Sequence, residues 1–176
     1  MLTESEILEV REHLEKSQNP LFFFDNDVDG LSSFLILARY YDRGKGVAIK
    51  SGELNDSYLR KINELNPDAV FVLDKPLVSR GFIEGVRERN IPLIWIDHHN
   101  IEVYHENVYY YNPAVSRRQT EPTTYLAYQI ARKKEDLWLA LTGCIADNYF
   151  PNFAEEFAES YKELWKPGVS RLSGFV

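Results

Sequence analysis

Short, continuous apolar runs alternate with segments of helical periodicity along the first hundred residues of the chain. The clearest runs are LFFF, AVFVL and LIWI, at residues 21–24, 69–73 and 93–96. Continuous apolar runs of this length are typical of strands that are buried on both faces of a parallel sheet. The segments between them, residues 29–41, 56–65 and 78–89, are predicted helices. This alternation predicts an α/β fold, a parallel β-sheet flanked by helices.

The remaining segments extend the same fold and close it with helices. We predict a first helix at residues 3–16 and two further strands at residues 46–50 and 107–111. The stretch NPAVSRRQTEP is predicted to be a polar loop. Three helices follow, at residues 123–133, 135–148 and 154–165. We therefore expect one domain over residues 1–150, and over residues 151–176 a helix and a tail that resembles a linker to a further domain.

Composition narrows the class of protein. A chain of 176 residues can bury the core of one domain, and the sequence has no apolar run of the roughly 20 residues that a membrane span needs. With an amphipathic N-terminus rather than a signal peptide, the expected location is the cytoplasm. The single cysteine excludes an intramolecular disulfide and a cysteine-based zinc cluster. The net charge of −7 argues against a strongly basic face, but not against a nucleic-acid substrate if bound cations neutralise acidic groups.

Acidic residues and histidines follow the predicted strands where each strand ends. The set consists of Asp25, Asp27 and Asp29 after LFFF, Asp74 after AVFVL, Asp97, His98 and His99 after LIWI, and Asp147 at the end of an apolar helix. In an open α/β sheet, ligands bind at the carboxyl ends of the strands, so we expect these side chains to converge. Carboxylates at this spacing repel one another and need a positive partner, which is a lysine, a helix dipole or a metal ion.

Carboxylates and imidazoles without cysteine form a ligand set that suits manganese, with magnesium as the alternative. Two such ions about 3.5 to 4 Å apart bind an attacking water and a phosphate oxygen together, which predicts phosphoester or phosphoanhydride hydrolysis. Each motif alone has a plainer interpretation: a calcium-type or turn-forming loop for DNDVDG, a helix cap for Asp74, and polar surface for the histidine pair. Their occurrence together, at strand ends, favours a metal site.

Four motifs in order resemble those of the DHH phosphoesterase superfamily, in particular its RecJ-like branch. They are DNDVDG, Asp74, IDHHN and GCIADNY, and the resemblance covers roughly residues 20–150. It implies a DHH-type domain, which is an α/β domain with two metal ions at the carboxyl edge of its sheet. The catalytic residues that it implies are Asp74, His98 and His99.

The resemblance also implies a role for each ligand. Asp27 would bind one metal ion and Asp29 the other, and Asp74 would bridge the two ions. His98 and Asp147 would complete the shell of the second ion. The implied cofactor is therefore a pair of Mn²⁺ ions, or of Mg²⁺ ions.

Two features near these motifs concern the first metal ion and the substrate. Many relatives have a histidine at the position of Phe23, so Asp25 is the expected replacement, either as a direct ligand or as a group that supports the ligands. His99 would contact the scissile phosphate or a metal ion. Arg117 and Arg118 lie near the family's substrate-facing position, and arginine suits phosphate, although a solvated loop is the plainer interpretation.

The function that the resemblance implies is a manganese-dependent phosphodiesterase, a RecJ-like exonuclease of DNA repair that acts on single-stranded nucleic acid or on short oligonucleotides. One alternative is a scaffold subunit of a replication assembly, since some relatives of RecJ have lost catalysis and bind replication or repair proteins instead. The other is a phosphohydrolase of small nucleotides or pyrophosphate. Catalytic relatives usually have a C-terminal domain with a glycine- and histidine-rich motif, and these residues do not include such a motif.

Overall fold

The computed structural model describes residues 1–101, 106 and 108–163. Within them, five strands form one parallel sheet: β1 Pro20–Asp25, β2 Lys45–Ile49, β3 Ala69–Leu73, β4 Leu93–Ile96 and β5 Tyr109–Tyr111. The strand order is β2-β1-β3-β4-β5. The α-helices are α1 Glu4–Lys16, α2 Val28–Tyr41, α3 Leu59–Leu65, α4 Arg80–Arg87, α5 Pro113–Arg117, α6 Thr123–Ala131, α7 Leu137–Ala146 and α8 Ala154–Ser160. The predicted fold class, a parallel sheet flanked by helices, is confirmed.

Alternation along the strands divides the core between the two faces of the sheet. Phe22 and Phe71 face a cluster that includes side chains of α1, α2, α6 and α7. Phe23 and Val72 face a second cluster, formed with α3 and α4. Both faces are therefore covered by helices, which explains why the strands are continuous apolar runs.

The predicted loop at residues 112–122 is the clearest error in the predicted secondary structure. It contains the short helix α5, because the Asn112 side chain accepts hydrogen bonds from the backbone N–H groups of Ala114 and Val115, and Pro113 occupies the first turn. Both features favour helix initiation. The predicted helix at residues 56–65 begins with a 3₁₀ turn, Asp56–Tyr58, and only then becomes α3.

Two predictions extend beyond the residues that the structure describes. The predicted strand at 107–111 begins at residue 107, which is outside them, and β5 starts at Tyr109. The last predicted helix reached residue 165, and α8 ends at Ser160. Residues 164–176, and with them the expected tail and linker, lie outside the described part of the chain. Among the described helices, none has the length and the apolar character that a membrane span requires.

Candidate metal centre

Three neighbouring strands bring their carboxyl ends to one edge of the sheet. β3 lies between β1 and β4, and the register pairs Leu73 with Phe24 on one side and with Ile96 on the other. The residue that follows each of these positions is an aspartate, so Asp25, Asp74 and Asp97 leave the sheet at the same level. The predicted convergence is therefore a direct result of parallel pairing.

The first motif turns from β1 into α2. Asp27 is the N-cap of α2 and accepts a hydrogen bond from the backbone N–H of Gly30 at 2.9 Å. A Cβ atom at Gly30 would lie 2.5 Å from the carbonyl oxygen of Asp25, so only glycine allows the helix to start this close to the strand. The motif thus holds Asp25, Asp27 and Asp29 on a fixed turn.

Asp29 lies in the first turn of α2 and is buried. Its carboxylate accepts hydrogen bonds from the backbone N–H groups of Thr123 at 2.9 Å and Thr124 at 2.7 Å, at the start of α6. Burial nevertheless raises the pKa of Asp29 above its ordinary value, against the opposing effect of the Thr124 hydrogen bonds. Glycine is also required at Gly143 in α7, because a Cβ there would overlap the Thr124 side chain. Helix α2 therefore carries the Asp29 carboxylate, α6 donates hydrogen bonds to it, and α7 packs closely against α6 at this point.

Asp74 follows β3 in a left-handed backbone conformation, with a φ of 57°. Its side chain is buried, and the Thr123 hydroxyl donates a hydrogen bond to its Oδ1 at 3.2 Å. Burial raises the pKa of Asp74 well above its ordinary value, and the nearby carboxylates of Asp29, Asp27 and Asp97 raise it further. Strained, mutually repelling groups of this kind concentrate at functional sites.

His98 stands at the centre of the cluster. Its Nε2 atom lies 3.4 Å from Oδ1 of Asp74, 3.6 Å from Oδ2 of Asp29 and 3.6 Å from Oδ2 of Asp147. Asp147 reaches the cluster from the C-terminal end of α7. All three distances exceed those of ordinary N–H···O hydrogen bonds. One imidazole nitrogen is therefore surrounded by three carboxylate oxygens that it does not bond directly.

His99 is held by a second set of contacts. Its Nδ1 atom lies 2.8 Å from Oδ1 of Asp97, which is fully buried. The Asn112 side-chain amide donates hydrogen bonds to the backbone carbonyl of His99 at 2.9 Å and to Asp97 at 3.3 Å. The hydrogen bond with Asp97 raises the pKa of His99. The sequence placed Asp97 in the set of strand-end groups without predicting its contact with His99, and it predicted no role for Asn112. The signals for these contacts were an aspartate directly before the histidine pair and an Asn-Pro cap.

Asp25 has a cationic partner within the chain. Nζ of Lys75 lies 3.1 Å from Oδ1 of Asp25, and the Lys75 side chain is 3% exposed. Lys75 directly follows Asp74, and its backbone carbonyl accepts a hydrogen bond from the Trp95 indole at 2.8 Å. Phe23, at the position where many relatives have a histidine, is buried, with its ring 5.3 Å from that of Phe82. The sequence reasoning assigned no role to Lys75.

The two candidate substrate arginines point to different places. The guanidinium of Arg117 donates a hydrogen bond to Glu6 of α1 at 2.9 Å. Arg118 ends α5 and lines a cleft of about 510 Å³ together with Asn100, the residue after His99. Of the two, Arg118 therefore lies in a cleft beside the candidate centre, and Arg117 joins α5 to α1.

The donor atoms fit a divalent cation. Two sets of groups each offer three ligand atoms within 4.8 Å of one another, and they share His98: one is Asp29, His98 and Asp147, the other Asp74, His98 and His99. The oxygen and imidazole donors suit manganese or magnesium, and a cation would offset the repulsion between the buried carboxylates. Asp25 and Asp27 belong to neither set.

The chain is similar in sequence to one protein family and in fold to several solved proteins. The family model described as the DHH family, N-terminal domain, matches residues 21–149. A solved exonuclease RecJ bound to manganese has a TM-score of 0.66 and 18% identity, with 81% of this chain and 42% of that chain covered. The Mn²⁺ complex of RecJ from Thermus thermophilus has a TM-score of 0.64 and 17% identity, and the match covers 82% of this chain and 24% of that chain.

A third solved structure, CDC45 from Entamoeba histolytica, has a TM-score of 0.62 and 14% identity, and the match covers 90% of this chain and 38% of that chain. The chain thus spans less than half the length of each of these proteins. No curated protein matches its sequence. At these identities the solved structures show a common fold.

Proposed function

Because the chain belongs to the DHH family, we propose that it is a manganese-dependent phosphoesterase that hydrolyses phosphodiester bonds in single-stranded nucleic acid or short oligonucleotides. The observation that carries the proposal is the position of His98 Nε2 among the carboxylates of Asp29, Asp74 and Asp147, at 3.4 to 3.6 Å. A cation held by these groups would offset the repulsion between the buried carboxylates of Asp29 and Asp74.

In the proposed mechanism, these four residues would hold the divalent ion. When bound, the ion lowers the pKa of an attacking water and neutralises charge that develops on the phosphoryl oxygens. Thr123 and Thr124 fix the Asp29 carboxylate through backbone hydrogen bonds, so its orientation does not depend on the substrate. Preorganised groups of this kind avoid a reorganisation cost during the reaction.

His99 and Arg118 are the proposed contacts of the chain with the substrate. Asp97 holds Nδ1 of His99, so Nε2 faces away from Asp97 and is the atom proposed to contact a phosphate oxygen. Arg118 lines the cleft together with Asn100, the residue after His99, and its guanidinium is the proposed contact for a further phosphate of an oligonucleotide.

The test is product release from 5′-phosphorylated single-stranded DNA, single-stranded RNA and a dinucleotide, with and without Mn²⁺, beside parallel assays of pyrophosphate and a cyclic dinucleotide. We expect manganese-dependent release by the wild type and a roughly thousandfold lower rate for Asp74→Asn. The matched control is Asp68→Asn, which changes an aspartate at the opposite end of β3. Release from pyrophosphate or a cyclic dinucleotide alone would replace the oligonucleotide by a small nucleotide as substrate, and Mn²⁺ binding without any release would favour a scaffold subunit.

A further inference from the structure

Lys75 is buried beside the candidate centre, and among residues 1–101, 106 and 108–163 the carboxylate that pairs with it is that of Asp25. Its side chain is 3% exposed, and Nζ lies 3.1 Å from Oδ1 of Asp25. A buried ammonium group is unfavourable unless it is paired, so this ion pair is what permits a lysine at this position. The lysine therefore forms part of the acidic cluster.

Oδ1 of the Asp25 carboxylate interacts with two donors within the chain. Besides Lys75, Oδ1 accepts a hydrogen bond from the backbone N–H of Asn26 at 2.8 Å. A divalent ion bound to Asp25 would lie within a few ångströms of the buried Lys75 ammonium, and like charges at such a distance repel. Asp25 thus has a charge partner that competes directly with a metal ion.

The other side of the cluster has the opposite character. The oxygens of Asp29, Asp74 and Asp147 surround His98 Nε2, and lysine is absent from this set of contacts within the described residues. The two described ligand sets both include His98, and neither includes Asp25. The two sides of the cluster therefore differ in their capacity for a cation.

We propose that the Lys75 ammonium takes the place of a second metal ion at Asp25, so that the centre binds one divalent cation. The cation lies at Asp29, Asp74, His98 and Asp147, and Lys75 neutralises Asp25. This inference rests on the proposed function, and it replaces the two ions that the resemblance implies. Lys75 can replace a metal ion in this role because its ammonium is a fixed positive charge that neutralises the same carboxylate.

The test is the number of Mn²⁺ ions bound per chain, measured by isothermal titration calorimetry on metal-free protein and by electron paramagnetic resonance on the loaded protein. For the wild type we expect one ion, with the spectrum of an isolated Mn²⁺. Lys75→Met removes the charge and keeps the length of the side chain. It is expected to bind two ions, which would be spin-coupled through the shared Asp74.

Two further variants define the result. Lys134→Met removes an exposed lysine that lies 3.6 Å from Glu156, and it should bind one ion like the wild type. Asp29→Asn, which alters the ligand that α6 holds, should lower the affinity for that one ion roughly a hundredfold or more, as expected when a charged ligand is lost.

Two coupled ions in the wild type, or one ion in a folded Lys75→Met protein, would overturn the inference. Should Lys75→Met fail to fold, the stoichiometry of the wild type still decides between one ion and two. A wild type that binds no Mn²⁺ at all would contradict the proposed function itself, so the two failures are distinguishable.

Discussion

Strand β3 has an aspartate at each end, and the two carboxylates have opposite environments. Asp68 directly precedes the strand and accepts hydrogen bonds from the Ser17 hydroxyl and from the backbone N–H groups of Gln18 and Asn19, the last two at 2.6 and 3.0 Å. Asp74 directly follows the strand, and its neighbours include the carboxylates of Asp29, Asp27 and Asp97. The charged form of the aspartate is thus stabilised by hydrogen bonds at the start of β3 and destabilised by neighbouring carboxylates at its end.

The pKa of each group reflects this difference. Partial burial raises the pKa of Asp68, but the hydrogen bonds from Ser17, Gln18 and Asn19 outweigh it, and the pKa lies below the ordinary value. Burial and neighbouring charges raise the pKa of Asp74 well above that value. Asp68 therefore stabilises the fold as a carboxylate, whereas Asp74 as a carboxylate costs stability until a cation binds. Asp68 therefore contributes to the stability of the fold, whereas Asp74 is a group that the fold positions for the candidate metal centre.

The largest expected difference between replacing Asp74 and replacing Asp68 is in the rate of hydrolysis. Asp74→Asn should lower manganese-dependent hydrolysis roughly a thousandfold, because a metal ligand contributes several kcal/mol to the transition state. Asparagine is the appropriate replacement, since it tolerates the left-handed backbone at this position. Asp68→Asn should remain within about twofold of the wild type, since Asp68 lies at the opposite end of the strand.

Rates of product release on the three substrates measure this difference, and circular dichroism establishes that both variants are folded. If Asp74→Asn retained about a tenth or more of the wild-type rate, a loss far smaller than a catalytic metal ligand supplies, Asp74 would not be a ligand of the catalytic ion.

Manganese should stabilise the protein by binding to Asp74, at the carboxyl end of β3, and not through Asp68. A ligand at about a hundred times its dissociation constant raises the free energy of unfolding by about 2.7 kcal/mol. For a chain of this size that corresponds to a rise in Tm of about 5 to 10 °C. Asp68→Asn should show the same rise, and Asp74→Asn little or none. Thermal melts of the three proteins with and without Mn²⁺ are the measurement, and an equal rise in Asp74→Asn would place the ion elsewhere.

Without metal, the order of the two effects on stability should reverse. Asp68→Asn loses the charge that three donors from the α1–β1 connection share, and the expected cost is about 1 kcal/mol, a moderate figure because Asp68 is exposed. Asp74→Asn should unfold at the same denaturant concentration as the wild type or higher, because it removes a buried, repelled carboxylate. Urea unfolding of the metal-free proteins at neutral pH compares them. A larger loss in Asp74→Asn would mean that Asp74 also serves the fold.

The sequence predicted β3 with its observed bounds, since AVFVL is apolar throughout and lies in the middle of the sheet. It also predicted that Asp74 and His98 meet, because that follows from parallel strands alone. The first prediction depends on a local run of apolar residues, and the second on the rule that the carboxyl ends of parallel strands lie at one edge of the sheet. The roles of individual ligands, including those of Asp25 and Asp27, stay predictions.

Other features depend on contacts between distant positions. The amides of Thr123 and Thr124 reach Asp29 across more than ninety residues of sequence. The pairing of Lys75 with Asp25 depends on where one lysine side chain turns as it leaves β3. Neither produces a periodic pattern, so a single sequence does not reveal them. The hydrogen bonds of Asp68 are missed for the same reason.

The smallest expected effect is the pH dependence of the Asp68 contribution. Because its pKa in the folded protein lies below the ordinary value of 3.8, the stabilisation is fully present above that value and is lost as the pH falls through the lower, folded-state pKa. The difference in unfolding free energy between the wild type and Asp68→Asn, about 1 kcal/mol near neutral pH, should therefore hold down to about pH 5 and shrink below about pH 4. Urea unfolding of both metal-free proteins from neutral pH down to about pH 3 measures it. A difference that stayed constant over this range would mean that the three donors recognise the shape of the side chain rather than its charge, and the contrast with Asp74 would then be one of geometry alone.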